Sequence, residues 1–483
     1  MRLGNIQRVI GALIAFSSLT MLPPILVSLY YGDGTYILFL DSAAIFLAVG
    51  LLIYLPVRNE TRDLRLRDGF LIVTCSWLSM VLVGALPFAM LTSPSLSYVD
   101  AFFESMSGFT TTGATIFANI DILPRAVLYY RMQTQWLGGM GIIVLAVAIL
   151  PMLRVGGMQL FRAETPGPMK DAKLTPRIAE TAKTLWLVYV GITALCIIAY
   201  DMGGMNLFDA VGHAFSTVAT GGFSTHNESF AYWNNPLLET ISMFFMFVAG
   251  INFTLHYVAW RKASTQAYFK DQELRVYTYL LVIFISLATI ALYITNTFDS
   301  IWASFRHGAF HVVSVMSTTG FTTDPFYNWG SFVPLLLIFI AFVGGCGGST
   351  AGGMKIIRII FLHHQALREI RLLIHPNAII PIKYDKRTAS PQVMSAVWGF
   401  FFLFIASFAV MTMLLTATGL DMVTSYSAVV ACISNMGPGL GEAGPHYATL
   451  NDPAKIILCF TMLLGRLEIY TVLVLFVPTF WYD

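Results

Sequence analysis

Apolar residues in this chain come in runs of about twenty, parted by short polar stretches. The runs fall near 10–30, 36–57, 70–92, 125–151, 184–203, 236–259, 276–295, 332–360, 393–418 and 455–478. A helix needs about 20 mainly apolar residues to cross the hydrocarbon of a bilayer. The pattern therefore predicts an all-α membrane protein with about ten spans. Four shorter runs, near 98–112, 205–221, 303–319 and 422–436, sit between spans and are too rich in Ser, Thr and Gly to cross. Arg2 and Arg8 precede the first run as in a signal peptide, but no small-residue cleavage site follows, so that run reads as an uncleaved span.

Composition agrees with the pattern. Of 483 residues 57% are hydrophobic and only 11% charged, whereas a soluble protein carries about 25% charged residues. A large soluble enzyme is excluded on that ground. The five cysteines, Cys75, Cys196, Cys346, Cys432 and Cys459, all lie in apolar stretches without CxxC spacing. They read as packing residues, not as a disulfide frame or zinc site.

Charge sets the orientation. Of the 28 Lys and Arg, 23 fall in every other connection, within 2–8, 58–67, 154–183, 261–275 and 355–387. Those connections are predicted to be cytoplasmic. The opposite ones carry Asp100, Glu104, Asp121, Asp209, Glu228, Asp324, Asp421 and Glu442. Spans alternate correctly only if the four short runs enter and leave by the outer face, as re-entrant loops.

Those four runs repeat one another. They end in Thr111-Thr112-Gly113, Thr220-Gly221-Gly222, Thr318-Thr319-Gly320 and Asn435-Met436-Gly437, with the glycines 109, 98 and 117 residues apart. The unit is span, short helix, glycine loop, span, used four times behind a leading pair of spans. It divides the chain into 1–68, 69–160, 161–262, 263–375 and 376–483. Non-helical backbone at membrane depth is tolerated where it lines a cavity or is buried in protein. Four equivalent loops can surround one axis, and their carbonyls can replace a cation's hydration shell. Each short helix would aim its partly negative C-terminus at the membrane centre, where a cation is favoured.

With Gly108-Phe-Thr-Thr-Thr-Gly-Ala-Thr115, Gly221-Gly-Phe-Ser-Thr225, Ser317-Thr-Thr-Gly-Phe-Thr-Thr323 and Phe476-Val-Pro-Thr-Phe-Trp481, the sequence resembles the Trk/Ktr/HKT superfamily of potassium transporters. It is similar in particular to the bacterial TrkH-type members, over essentially the whole chain. The resemblance implies a potassium filter of four non-identical loops in a bacterial inner membrane. Its ion-coordinating residues would be Thr111, Thr112, Thr220, Gly221, Thr318, Thr319, Asn435 and Met436, beside Gly113, Gly222, Gly320 and Gly437. The fourth loop departs from the Thr-Gly pattern. The resemblance also implies a homodimer and a separate, ring-forming, nucleotide-binding subunit of the TrkA type that docks on the basic cytoplasmic face. No cofactor is expected, only lipid around the protein and potassium as the transported ion.

Two features lie below the predicted filter. The run 332–360 is broken by Gly344-Gly345-Cys346-Gly347-Gly348-Ser349-Thr350-Ala351-Gly352-Gly353, in which six of ten residues are glycine. About twelve helical residues from Phe332 cover roughly 18 Å, so the break falls past the midplane, under the filter, where a gate belongs. TrkH-type proteins are similar in having an intramembrane gate loop here. A phosphate-binding loop fits worse, because Lys355 does not directly follow the last glycine. Arg466 is the only basic residue within the last span, near the midplane, where a charge is expensive and faces a water-filled path or a partner. Its expected role is to bond carbonyls of the 344–353 loop and to act as an electrostatic barrier.

His307 and His311 stand four apart but lack the glutamate of a zinc protease motif, and read as capping or packing residues. Repeats that all enter from one side favour a fixed pore over a rocking carrier built from inverted repeats. A proton- or sodium-coupled symporter stays open as the alternative. An intramembrane hydrolase would need a nucleophile and a base in reach, and the repeated Ser and Thr have no consistently placed His or Asp. The chain reads as a transporter and not as an enzyme.

Overall fold

The computed structural model describes residues 3–59, 66–144, 174–385 and 387–482. The leading pair of spans holds α1 (Leu3–Ser17), α2 (Leu22–Tyr31) and α3 (Tyr36–Tyr54). Much of the exposed surface of both spans is apolar, with Phe16, Leu26, Leu40 and Leu52 uncovered, which suits helices facing lipid. They cross closely because Gly11 and Gly50 leave room: a Cβ on Gly50 would stand 2.3 Å from the Ala15 backbone nitrogen.

Four groups of helices follow. The first is α4 (Leu66–Gly84), the short α5 (Tyr98–Phe109) and α6 (Arg125–Val144). The second is α7 (Leu174–Met202), the short α8 (Leu207–Val218), α9 (Pro236–Ala249) and α10 (Phe253–Arg261). Next come α11 (Gln272–Ile294), the short α12 (Ile301–Met316), α13 (Phe332–Val343) and α14 (Ile356–Ile374). A hairpin of β1 (Lys383–Tyr384) and β2 (Arg387–Thr388) then leads to α15 (Pro391–Thr416), the short α16 (Met422–Ile433), α17 (Asp452–Arg466) and α18 (Tyr470–Leu473).

Each short helix starts on a side-chain cap. Ser97, Asn206, Ser300 and Asp421 accept from the backbone N–H groups of Asp100, Asp209, Ala303 and Thr424, which satisfies donors that the helix itself cannot. Each packs against the span before it and the span after it. The packing then closes in a circle: α6 lies on α8, α9 on α12, α13 on α16, and α17 on α5.

Among the described residues six helices are long and apolar enough to cross a membrane, and two bent pairs bring the number to eight. The remaining two expected spans are α6, whose predicted end at 145–151 lies outside the described residues, and α13 with α14, parted by the glycine loop. The runs 236–259 and 455–478, expected as spans, are helix pairs bent by 93° and 110°. A hydropathy window averages over such breaks. The first bend occurs at Gly250-Ile251-Asn252, where Asn252 caps α10 by accepting from Thr254 N–H. The second occurs where Glu468 and Ile469 take positive φ, 57° and 50°. Residues 152–173 of the predicted cytoplasmic connection 152–183, with Arg62, Arg65 and Lys386, lie outside the described residues.

Candidate functional site

The four loops that follow the short helices share one backbone. Thr111, Thr220, Thr318 and Asn435 have φ of 51°, 51°, 56° and 52°, and Gly113, Gly222, Gly320 and Gly437 have φ of 86°, 82°, 83° and 99°. In each loop the residue before the glycine donates its N–H back into the short helix: Thr112 to Ser107 O, Gly221 to Ser216 O, Thr319 to Ser314 O and Met436 to Ala431 O, at 2.7–2.9 Å. A β-branched residue in the left-handed region is unusual and costs about 1–3 kcal/mol. Three such threonines at equivalent places mark a conformation that the surroundings enforce. Asn435, which tolerates this region more easily, stands at the fourth.

The loops form a closed ring. A Cβ on Gly113 would lie 2.2 Å from Gly221 O, one on Gly222 2.0 Å from Thr319 O, and one on Gly320 2.1 Å from Met436 O. The circle is completed by Gly437, whose Cβ would lie 2.6 Å from Thr112 O. Asn435 ties the last loop to the first, its Nδ2 donating to Thr112 Oγ1 at 3.0 Å and to Met462 O at 3.1 Å. All twelve predicted filter residues therefore come together, and their donor atoms are neutral oxygens. Thr111 Oγ1 and Asn435 Oδ1 are buried without a hydrogen-bond partner among the described residues.

Residues missed in the sequence hold this ring from behind. Glu104, counted there with the outer acids, is fully buried in α5 and paired with Arg131 Nε at 2.7 Å. Its carboxylate also accepts from Ile116 N–H and Thr115 Oγ1, while Arg131 donates to Ser224 O in the next loop. Breaking a buried pair by removing one partner costs on the order of 3–5 kcal/mol. Gln135 grips the second loop with both ends of its amide, donating to Gly221 O at 2.6 Å and accepting from Phe223 N–H at 3.1 Å. The available signal was that Glu104, Arg131 and Gln135 are polar residues placed at membrane depth.

Outside the ring His226, in the loop after α8, clasps Asp121 in the loop after α5 and Asp209 at the start of α8. Its Nδ1 faces Asp121 Oδ1 and its Nε2 faces Asp209 Oδ2, both at 3.2 Å, and its ring stacks on Tyr232. Two ionised carboxylates offer only acceptors, so this geometry calls for an imidazolium with both nitrogens donating. Burial opposes the charge, but hydrogen bonds and attraction, first from Asp209 and then Asp121, raise the pKa above its ordinary 6.5. With the folded pKa raised, the clasp contributes fully below 6.5 and is lost as pH rises through the raised value. The thermal-stability gap between wild type and His226→Gln should accordingly be widest in acid and close in alkali. A gap that stays constant from pH 5.5 to 9 would show the clasp to be uncharged. The other singled-out histidines pack: His311 bridges His307 O and Asp324 O, and His307 meets Thr323 Oγ1.

The loop 344–355 runs directly under the ring. Residues 344–352 are buried, with φ of 72° at Gly344, 71° at Gly348 and 73° at Gly353. Gly352 N–H donates to Thr318 Oγ1 at 2.7 Å, and a Cβ on Gly352 would lie 2.0 Å from Ser434 O. Thr350 Oγ1 donates to Val218 O at 3.0 Å, and Ser349 Oγ to Cys346 O at 2.7 Å. Cys346 N–H and Phe253 N–H exchange bonds with Gly250 O and Gly348 O across the bend of α9 and α10, while Ile356 N–H closes on Gly345 O. Gly347 N–H goes to Glu273. Arg466, 2% exposed, donates from Nη1 to Thr350 O at 3.0 Å and from Nη2 to Gly138 O at 3.1 Å. Through Gly138, Val218, Thr318 and Ser434 the loop and Arg466 reach all four helix groups. Glu468 does not pair with Arg466; it bonds Arg358, whose guanidinium lies 3.9 Å from the Phe400 ring.

Known proteins share this architecture. The sequence model of the TrkH family, described as cation transport protein, matches residues 38–481. The Trk system potassium uptake protein TrkH of Halomonas elongata is 50% identical over 481 residues, which is 100% of each chain. The Escherichia coli protein of the same name is 47% identical over 99% of each. The crystal structure of the potassium transporter TrkH from Vibrio parahaemolyticus superposes with a TM-score of 0.93 at 44% identity, covering 100% of both chains. This multi-pass membrane chain belongs to the TrkH family of cation transport proteins.

Proposed function

We propose that this protein takes up potassium across a bacterial inner membrane by conduction through a gated pore. The units 69–160, 161–262, 263–375 and 376–483 each supply one quarter of the pore, and 1–68 stands outside it. The carrying observation is the closed ring in which each loop glycine abuts a carbonyl oxygen of the next loop. Its oxygens are neutral and its four short helices end toward it. A dehydrated monovalent cation gains ligands and a favourable dipole field there without a carboxylate that would hold a divalent ion. Thr111, Thr112, Thr220, Gly221, Thr318, Thr319, Asn435 and Met436 coordinate the ion in this reading, with the four glycines setting their backbone.

Loop 344–353 with Arg466 is the gate. It spans the inner side of the ring and places a guanidinium across the ion path. Biasing such a gate requires something with different affinity for its open and closed states. A cytoplasmic nucleotide-binding subunit of the TrkA type, docked on the basic face around Arg368, Arg371, Lys383 and Arg387 of a homodimer, supplies that bias. Relatives named as parts of a Trk system support this.

Rubidium flux into liposomes holding only the purified protein tests the reading. Flux should follow the rubidium gradient and continue with no proton or sodium gradient. Flux that appears only under an imposed proton or sodium gradient would establish the symporter instead.

A further inference from the structure

We propose that Glu273 is the positioning residue that latches the gate loop, and that it links this loop to the β1–β2 hairpin. The proposal rests on reading 344–353 as a gate. Helix α11 opens with Asp271-Gln272-Glu273, and each of the three makes a different contact. Asp271 caps the helix, accepting from Leu274 N–H at 2.7 Å. Gln272 Oε1 accepts from Asp385 N–H, in the turn of the hairpin, at 3.0 Å. Glu273, 2% exposed, accepts on one oxygen both Gly347 N–H at 2.7 Å and Ile357 N–H at 3.0 Å.

That single oxygen pins the middle of the loop and the first turn of the helix that follows it. A carboxyl oxygen is well placed for both tasks, because its two lone pairs can accept both N–H groups at once. The two bonds differ in what opening does to them. Movement of the loop must break the Gly347 bond but can leave the Ile357 bond intact, so Glu273 keeps a partner in both states. A buried carboxyl group that lost every partner would oppose opening altogether.

The hairpin touches the two helices that Glu273 joins. It meets α11 through Gln272 and α14 through Tyr384, whose ring lies 5.5 Å from that of Phe361. A ligand that shifts the hairpin therefore moves the first turn of α11 and with it the Glu273 carboxyl one residue away.

The natural thiol Cys346 adjoins Gly347, is 1% exposed, and reports on the loop. Full-length protein in liposomes is treated with a small cationic methanethiosulfonate, and Cys346 modification is followed by peptide mass spectrometry. Rubidium flux is measured in the same vesicles. Glu273→Ala should raise both by roughly tenfold, and Glu273→Gln, which keeps an acceptor oxygen, by less. Gln272→Ala should raise both as well and add nothing to Glu273→Ala, because the two lie on one path. If Glu273→Ala does not fold, Glu273→Gln carries the test. Wild-type labelling and flux in the Glu273 variants would overturn the latch, and an effect of Glu273 without one of Gln272 would overturn the link to the hairpin. Arg466→Ala separates the two readings. Faster labelling in that variant alone removes the latch and keeps the gate, whereas no response in any variant removes the gate itself.

Discussion

Gly222→Ala is expected to lower potassium uptake tenfold or more, or to admit sodium, at unchanged protein level. Gly222 has φ of 82°, and its Cβ would stand 2.0 Å from Thr319 O. The obstacle is backbone, which cannot rotate aside as a side chain can. Either Gly222 leaves the left-handed region or the third loop moves, and both displace carbonyls from the ring. Residual strain adds about 1–3 kcal/mol, and about 1.4 kcal/mol is already a factor of ten in rate. Gly320→Ser should act alike, since its Cβ would lie 2.1 Å from Met436 O. Gly191→Ala is the control, because nothing lies within 4 Å of a Cβ there and alanine favours a helix. Rubidium uptake with sodium competition, measured at matched expression, decides it. Wild-type uptake and selectivity in both ring variants would place the filter elsewhere.

The ring was legible in the sequence because its constraint is local. A left-handed position next to a close approach calls for glycine, and four such glycines recur at regular distances behind short semi-polar helices. The break after Val343 was legible for a similar reason, since clustered glycine cannot continue a helix. What holds these loops in place was not legible. Glu104 meets Arg131 27 residues away, Gln135 meets Gly221 86 away, and Glu273 meets Gly347 and Ile357 74 and 84 away. Periodicity reports the face of a single helix and says nothing about which distant backbone that face will meet. Asn435 shows both sides of this. Its departure from threonine was visible, but its reason is a bond to Thr112, 323 residues earlier, that closes the ring. The bends at 250–252 and 467–469 escaped because a run can stay apolar through a change of direction.

Arg466→Ala should raise basal flux through the protein alone. The guanidinium donates to Thr350 O in the loop and to Gly138 O on α6, so it both ties the loop down and sets a positive charge under the ring. A hydrogen bond involving a charged group contributes about 1.5–3 kcal/mol. Losing two at the lower figure shifts the closed-to-open balance by about 3 kcal/mol, which is roughly a hundredfold in the open fraction if closed molecules dominate. Arg466→Lys then separates tie from charge. An ammonium keeps the charge but not the flat, forked donor geometry that reaches two carbonyls at once. If the charge alone blocks cations, Arg466→Lys conducts like wild type and only Arg466→Ala opens. If the tie governs, both open, and lysine by nearly as much as alanine. Rubidium efflux from liposomes, with thermal stability recorded for each variant, reads the outcome. Reduced flux in a stably folded Arg466→Ala would make this residue part of the conducting path or of its packing, and the obstruction would then lie in the loop backbone alone.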